Sequence, residues 1–102
     1  MKPVKRVEIV VEAIEINHFL EVLKQIGVGG YTLIRHVGGQ GERGERRPDE
    51  FAYEVENAYF IVACDEAQAE ALVAATRPML VKTGGMCLIS DAIWVIHKRP
   101  AP

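Results

Sequence analysis

The feature that most narrows the fold is the order in which apolar periodicity switches along the chain. Residues 6–13 alternate, with Val7, Ile9, Val11 and Ala13 on one side and Arg6, Glu8, Val10 and Glu12 on the other, the period of a half-buried strand. From Ile16 the spacing lengthens. Ile16, Phe19, Leu20, Leu23 and Ile26 recur at helical intervals, and Gly27, Gly29 and Gly30 supply a C-terminal stop. A second strand is predicted over 31–37, then a glycine- and arginine-rich connection, then a long apolar and aromatic strand over 53–64. Asp65 and Gln68 have the spacing of a capping box and open an alanine-rich helix over 66–76, which Arg77-Pro78 brings to an end. A turn at Lys82-Thr83-Gly84-Gly85 leads into a last strand over 86–96. The order is βαββαβ.

Short connections and right-handed crossovers fold that order into an α+β domain, a ferredoxin-like antiparallel sheet with both helices on one face. Its other face is then bare. Yet residues 59–64 and 92–96 are apolar on both sides, as strands are when a sheet is covered on both faces. A second copy of the chain must supply that cover, so an obligate oligomer is expected. With 102 residues the chain is read as a single domain, 1–102, with one modest core. A net charge of -2 argues against general nucleic-acid binding, which needs a clearly basic face. Neither a membrane-spanning apolar run nor a signal-peptide pattern is present, and a cytoplasmic location is expected.

The connection Gly38-Gly39-Gln40-Gly41-Glu42-Arg43-Gly44-Glu45-Arg46-Arg47 is long for a compact domain, and such loops are commonly functional or disordered. Its glycines let backbone N–H groups approach a ligand, and its arginines suit phosphate or carboxylate oxygens. The reading is an anion-binding, mobile loop. Gly39 to Gly44 matches GxGxxG, but a dinucleotide fingerprint must open a helix in a parallel βαβ unit, and the following segment is polar and holds Pro48. A plain solvated loop is the competing reading, since mixed-charge surface loops are common. Against it stands the second glycine turn, Thr83-Gly84-Gly85. Two such turns, from one sheet or from adjacent subunits, would form the walls of a nucleotide-sized cleft. Cys64 and Cys87 lie in apolar runs and read as packing, not as a disulfide or metal pair. His18, His36 and His97 lack metal-ligand spacing, and Ser90 and Asp91 stand in no triad context, so no catalytic or metal site is assigned.

These residues together resemble the PII signalling superfamily, small cytoplasmic trimers that bind adenine nucleotides between subunits. The βαββαβ order covers nearly the whole chain, Gly30-Tyr31-Thr32 is similar to the family's Gly-x-Thr, residues 38–53 fall where its flexible T-loop lies, and Thr83-Gly84 matches the start of its B-loop. The nitrogen-sensing branch has a lysine-bearing GDGK segment after that turn and two arginines late in the last strand. This chain has Gly85-Met86-Cys87-Leu88, then Trp94 and Ile96. It also lacks the modified T-loop tyrosine, and no glutamine follows Arg43, which argues against 2-oxoglutarate sensing and tyrosine modification. The chain is more similar to the PII-like regulators of bicarbonate transporters and the carboxysome-associated PII proteins. The absence of a cysteine-bearing redox loop after Ile96 favours the carboxysome-associated type.

The resemblance implies a non-enzymatic homotrimer that binds AMP or ADP, with cyclic AMP and ATP as further candidates and bicarbonate as a companion ligand. It implies phosphate contacts from Arg43 and Arg46, a backbone cradle at Gly39, Gly41, Gly84 and Gly85, and Thr32 near the adenine. It also implies a listening partner, a membrane bicarbonate transporter or a carboxysome-related protein. Ordering of the T-loop would be the signal. Two rival readings are a slow nucleotide hydrolase of PII-like fold and a metal-binding oligomer of ferredoxin-like fold.

Overall fold

The computed structural model describes residues 1–41, 44–46 and 56–95, with the backbone path alone for residues 40, 41 and 44–46. Strand β1, Lys2–Glu12, runs through a 3-10 turn at Ala13–Glu15 into helix α1, Ile16–Ile26. Strand β2, Tyr31–Val37, precedes a small hairpin of β3, Gly39–Gly41, and β4, Gly44–Arg46. Strand β5, Asn57–Cys64, helix α2, Glu66–Thr83, and strand β6, Met86–Trp94, complete the described chain. The main sheet has the order β2-β5-β1-β6, all neighbours antiparallel, so the two central strands are the first and third of the βαββαβ pattern.

The predicted alternation sets the faces. Val7, Ile9 and Val11 of β1 and Ala58, Phe60 and Val62 of β5 are fully buried beneath the helices. Phe19 of α1 lies against Phe60 with ring centroids 4.6 Å apart in a tilted arrangement, the geometry aromatic pairs favour. Helix α1 stops at Gly27, whose φ of 84° is left-handed and cheap only for glycine, and the Gly27 and Val28 N–H groups both donate to the Leu23 carbonyl. The capping box is formed at α2: Asp65 accepts from the Gln68 N–H at 2.8 Å, and Gln68 accepts from the Asp65 N–H at 3.0 Å.

Helix α2 corrects the expected end at Arg77-Pro78, because it continues through Pro78 to Thr83. A mid-helix proline costs about 3 kcal/mol. Burying Met79, and packing Leu80 against the core, returns about 1.5–3 kcal/mol for each fully buried side chain, enough to carry the helix onward. The proline also sits on the wet side: Ala74, whose carbonyl loses its donor, and Pro78 are both exposed. The glycine-rich connection likewise is not all loop. Gly39 pairs with Arg46, Gln40 with Glu45 and Gly41 with Gly44. Residues 53–55, expected in the third strand, and Ile96, expected in the fourth, lie outside the described residues.

Candidate functional site

The β3–β4 hairpin leaves the sheet at a defined neck. The last pair of the β2–β5 ladder is Val37 with Asn57, and between Ile34 and Val37 the register shifts, so β2 spends one extra residue there. His36 takes the strain of that bulge with a φ of 59°, the one described non-glycine residue at positive φ. Its Nδ1 is hydrogen-bonded to Glu56 Oε2. Glu56 is buried, and its backbone carbonyl accepts the Ala13 N–H at 2.7 Å, which ties the neck to the β1–α1 corner.

The second glycine turn is stricter than its sequence suggests. Gly84 caps α2 by donating its N–H to Leu80 O at 2.8 Å, and Thr83, inside the helix and not in the turn, donates its hydroxyl to Met79 O at 2.9 Å. Gly85 has a φ of 116°, and a Cβ there would sit 2.1 Å from the Val10 carbonyl oxygen and 3.2 Å from a Leu80 methyl. The chain can make this turn into β6 only with a residue that has no side chain.

The predicted residues distribute over two edges of the sheet. Gly39 and Gly41 belong to the hairpin beyond edge strand β2, and Gly84 and Gly85 precede edge strand β6. Register places both at one end, since Met86, Val10, Tyr59 and Ile34 lie in one row across the four strands. Three strand spacings of about 4.8 Å separate the edges, about 14 Å in all. Thr32 is exposed, pairs with Ile61 and shares the face of Ile34, which the helices do not cover. Arg43 lies outside the described residues, and Arg46 is described only as the backbone partner of Gly39.

The helix-free face carries exposed Ile34, Leu88 and Trp94 around a polar centre. There Glu8 accepts from Tyr59 Oη at 2.5 Å and from Arg6 at 3.2 Å. The bond to Glu8, and then burial, push the Tyr59 phenol above its ordinary pKa. On the other side of β6, a groove of about 190 Å³ between α2 and β6 is lined by Val73, Thr76, Arg77, Leu80, Cys87 and Ile89. Sequence reading missed it. The fully buried Thr76 hydroxyl has no partner, and burial raises the Cys87 thiol against the opposing pull of Arg77. Burial, then Asp65, raises the Cys64 thiol as well, so both cysteines stay protonated and act as packing. Among the described residues no cluster of three or more His, Cys, Asp and Glu side chains could hold a metal, and no helix is long and apolar enough to cross a membrane.

Fold and site together define a small split-βαβ domain with a hairpin thrown from one sheet edge and a glycine-strict turn at the other. The family model of nitrogen regulatory protein P-II matches residues 4–99, and the chain belongs to that family. No curated protein sequence matches it. Among solved structures it is similar to CPII, a PII-like protein from Thiomonas intermedia bound to ADP, AMP and bicarbonate. One structure of that protein gives a TM-score of 0.80 at 24% identity over 88% of this chain and 86% of the other. A second gives 0.74 at 26% identity over 88% and 92%. A putative PII-like signaling protein from Thermus thermophilus gives 0.74 at 25% identity, covering 93% and 91%.

Proposed function

We propose that this chain is a cytoplasmic, non-catalytic PII-like regulator that binds an adenine nucleotide, AMP or ADP, in clefts of a homotrimer. The observation that carries the reading is Gly85, whose positive φ and lack of room for a Cβ, which would sit 2.1 Å from Val10 O, keep a bare backbone turn at the same sheet end as the hairpin neck. Binding of ADP, AMP and bicarbonate by the structurally similar Thiomonas protein supports the ligand class. In this reading Arg43 and Arg46 pair with phosphate oxygens, backbone amides near Gly39, Gly41, Gly84 and Gly85 complete the cradle, and Thr32 lies toward the adenine. The excursion over 38–53 is the T-loop, and its ordering on binding is the signal. Inorganic-carbon acquisition is the process it serves, with a bicarbonate transporter or a carboxysome-related protein as listener.

Ligand choice follows from the residues that replace the triphosphate-binding ones. Each charge-assisted hydrogen bond contributes roughly 1.5–3 kcal/mol, so two fewer weaken a triphosphate by about two orders of magnitude or more. Calorimetry with AMP, ADP, ATP and cyclic AMP, each with and without bicarbonate, tests this. AMP or ADP binds at least as tightly as ATP, and Arg46→Ala weakens ADP more than adenosine. ATP binding far more tightly than ADP, or affinity indifferent to Arg43→Ala and Arg46→Ala, overturns the site.

A further inference from the structure

The neck of the hairpin holds a pairing that the nucleotide reading does not use. His36 and Glu56 flank the last ladder pair, Val37 with Asn57, so one residue stands where the chain leaves the sheet and the other where it returns. Between them in sequence lie β3 and β4. The two partners are unequal. The Glu56 side chain is 10% exposed and its carbonyl is fixed to Ala13, whereas the His36 side chain is 55% exposed and sits on a bulge. Glu56 is therefore the fixed jaw and His36 the movable one.

The backbone at His36 is unusual. A φ of 59° is uncommon for any non-glycine residue, although histidine, like asparagine and aspartate, adopts it more readily than most, and bulges of one common type give the left-handed position to glycine. Residues kept in such regions persist where surrounding contacts over-determine them, and they concentrate at functional sites. The hydrogen bond to Glu56 is one such contact. A glycine at 36 would make the same bulge without strain, but it could not reach the carboxylate.

We infer that His36 and Glu56 form a latch across this neck, fixing the direction in which the β3–β4 hairpin leaves the sheet, and are thereby positioning residues for the proposed anion site. The inference rests on the nucleotide-binding reading for its functional part. Neither residue is assigned a ligand contact. The latch acts by keeping the hairpin in the orientation that presents the Gly39 and Gly41 amides, so a ligand need not first select that orientation from several. Apparent affinity falls in proportion to the fraction of molecules that are competent to bind. A hydrogen bond with one partner half in water changes that equilibrium by up to about tenfold, which is the ceiling on the loss of affinity when the latch is removed.

The test compares wild type with Glu56→Gln, His36→Gly and the double variant, by ADP calorimetry, thermal unfolding and hydrogen exchange of the Gly39–Gly41 and Gly44–Arg46 amides without nucleotide. Each single variant weakens ADP by about three- to tenfold and speeds hairpin exchange by a similar factor, and the double variant is no worse than the weaker single, because one interaction is removed. His36→Gly is the decisive variant. It relieves the backbone strain and sits at the surface, so it folds even where Glu56→Gln does not, and a merely structural role leaves its ADP affinity and hairpin exchange unchanged. If wild type binds ADP while His36→Gly binds within about twofold of it and exchanges at the wild-type rate, the latch is overturned and the nucleotide reading stands. If wild type binds no nucleotide, that reading falls with the positioning role, and unchanged exchange in His36→Gly would remove the latch as well.

Discussion

Gly85→Ala is the sharpest test of the turn that joins α2 to β6. Two costs add. An alanine at a φ of 116° is held in a region that ordinary side chains avoid, which costs about 1–3 kcal/mol. Its Cβ would also sit 2.1 Å from Val10 O, a backbone atom of a strand paired on both sides at that residue, which cannot step aside as a side-chain end could. Forcing extra volume into such a site costs about 1–3 kcal/mol. The lower chain entropy of unfolded alanine returns about 0.4–1 kcal/mol, leaving a net loss of about 1–5.5 kcal/mol. For a domain of this size that is a fall in Tm of at least about 5 °C. Urea and thermal unfolding at one fixed protomer concentration measure it, because assembly would otherwise shift the midpoint. Gly29→Ala is the internal control, since nothing lies within 4 Å of its Cβ and its φ is not left-handed. It should change stability by no more than about 0.5 kcal/mol. A Gly85→Ala protein as stable as Gly29→Ala would refute the turn geometry and, with it, the argument that this position must present bare backbone.

Three other outcomes follow from the packing. Leu88→Asp or Trp94→Asp, on the helix-free face, should dissociate the oligomer or leave the protein insoluble, and wild type sedimenting as a stable monomer at micromolar concentration would remove the premise. Thr76→Val replaces a fully buried hydroxyl that has no partner, so stability by urea unfolding should rise by about 1 kcal/mol, and a loss of similar size would show that the hydroxyl is bonded in solution. Asp65→Ala removes one half of the capping box and should cost about 1 kcal/mol by the same assay, with no change counting against the cap.

What could be read in the sequence was whatever depends on near neighbours. The alternation of Val7, Ile9 and Val11 and the helical spacing of Ile16, Phe19 and Leu23 placed β1 and α1, because burial of one side recurs at the element's own period. The end of α2 was not legible. Proline is a local signal, and the burial of Met79 that overrides it belongs to the tertiary structure. Nor was the hairpin, since β3 and β4 carry glycines and charges with no apolar alternation, and only backbone pairing reveals them. Gly84 and Gly85 could be recognised as a turn, but the demand for glycine at 85 comes from Val10, far away in sequence. His36 gave no sign at all. A left-handed histidine has no sequence signature, and its partner lies twenty positions further on.

The separation of the two glycine segments has a thermodynamic consequence on the proposed reading. One chain starts them at opposite sheet edges about 14 Å apart, and among the described residues no further strand pairs with either edge of the main sheet. On that reading a head-to-tail contact that closes into a ring would bring the β2 edge of each copy toward the β6 edge of the next, once per interface. Such a ring repeats one cleft at every interface, with the hairpin of one copy as one wall and the Gly84–Gly85 turn of its neighbour as the other. A nucleotide bound there touches two chains, so it stabilises the assembly by the ratio of its concentration to its dissociation constant, and assembly in turn raises nucleotide affinity by the same linkage. The resistance of the protein to dissociation should therefore rise with ADP concentration, and Leu88→Asp should lose affinity for ADP although Leu88 is not among the residues assigned to the ligand. A dissociated Leu88→Asp chain that bound ADP as tightly as wild type would place the whole site within one chain and break the argument.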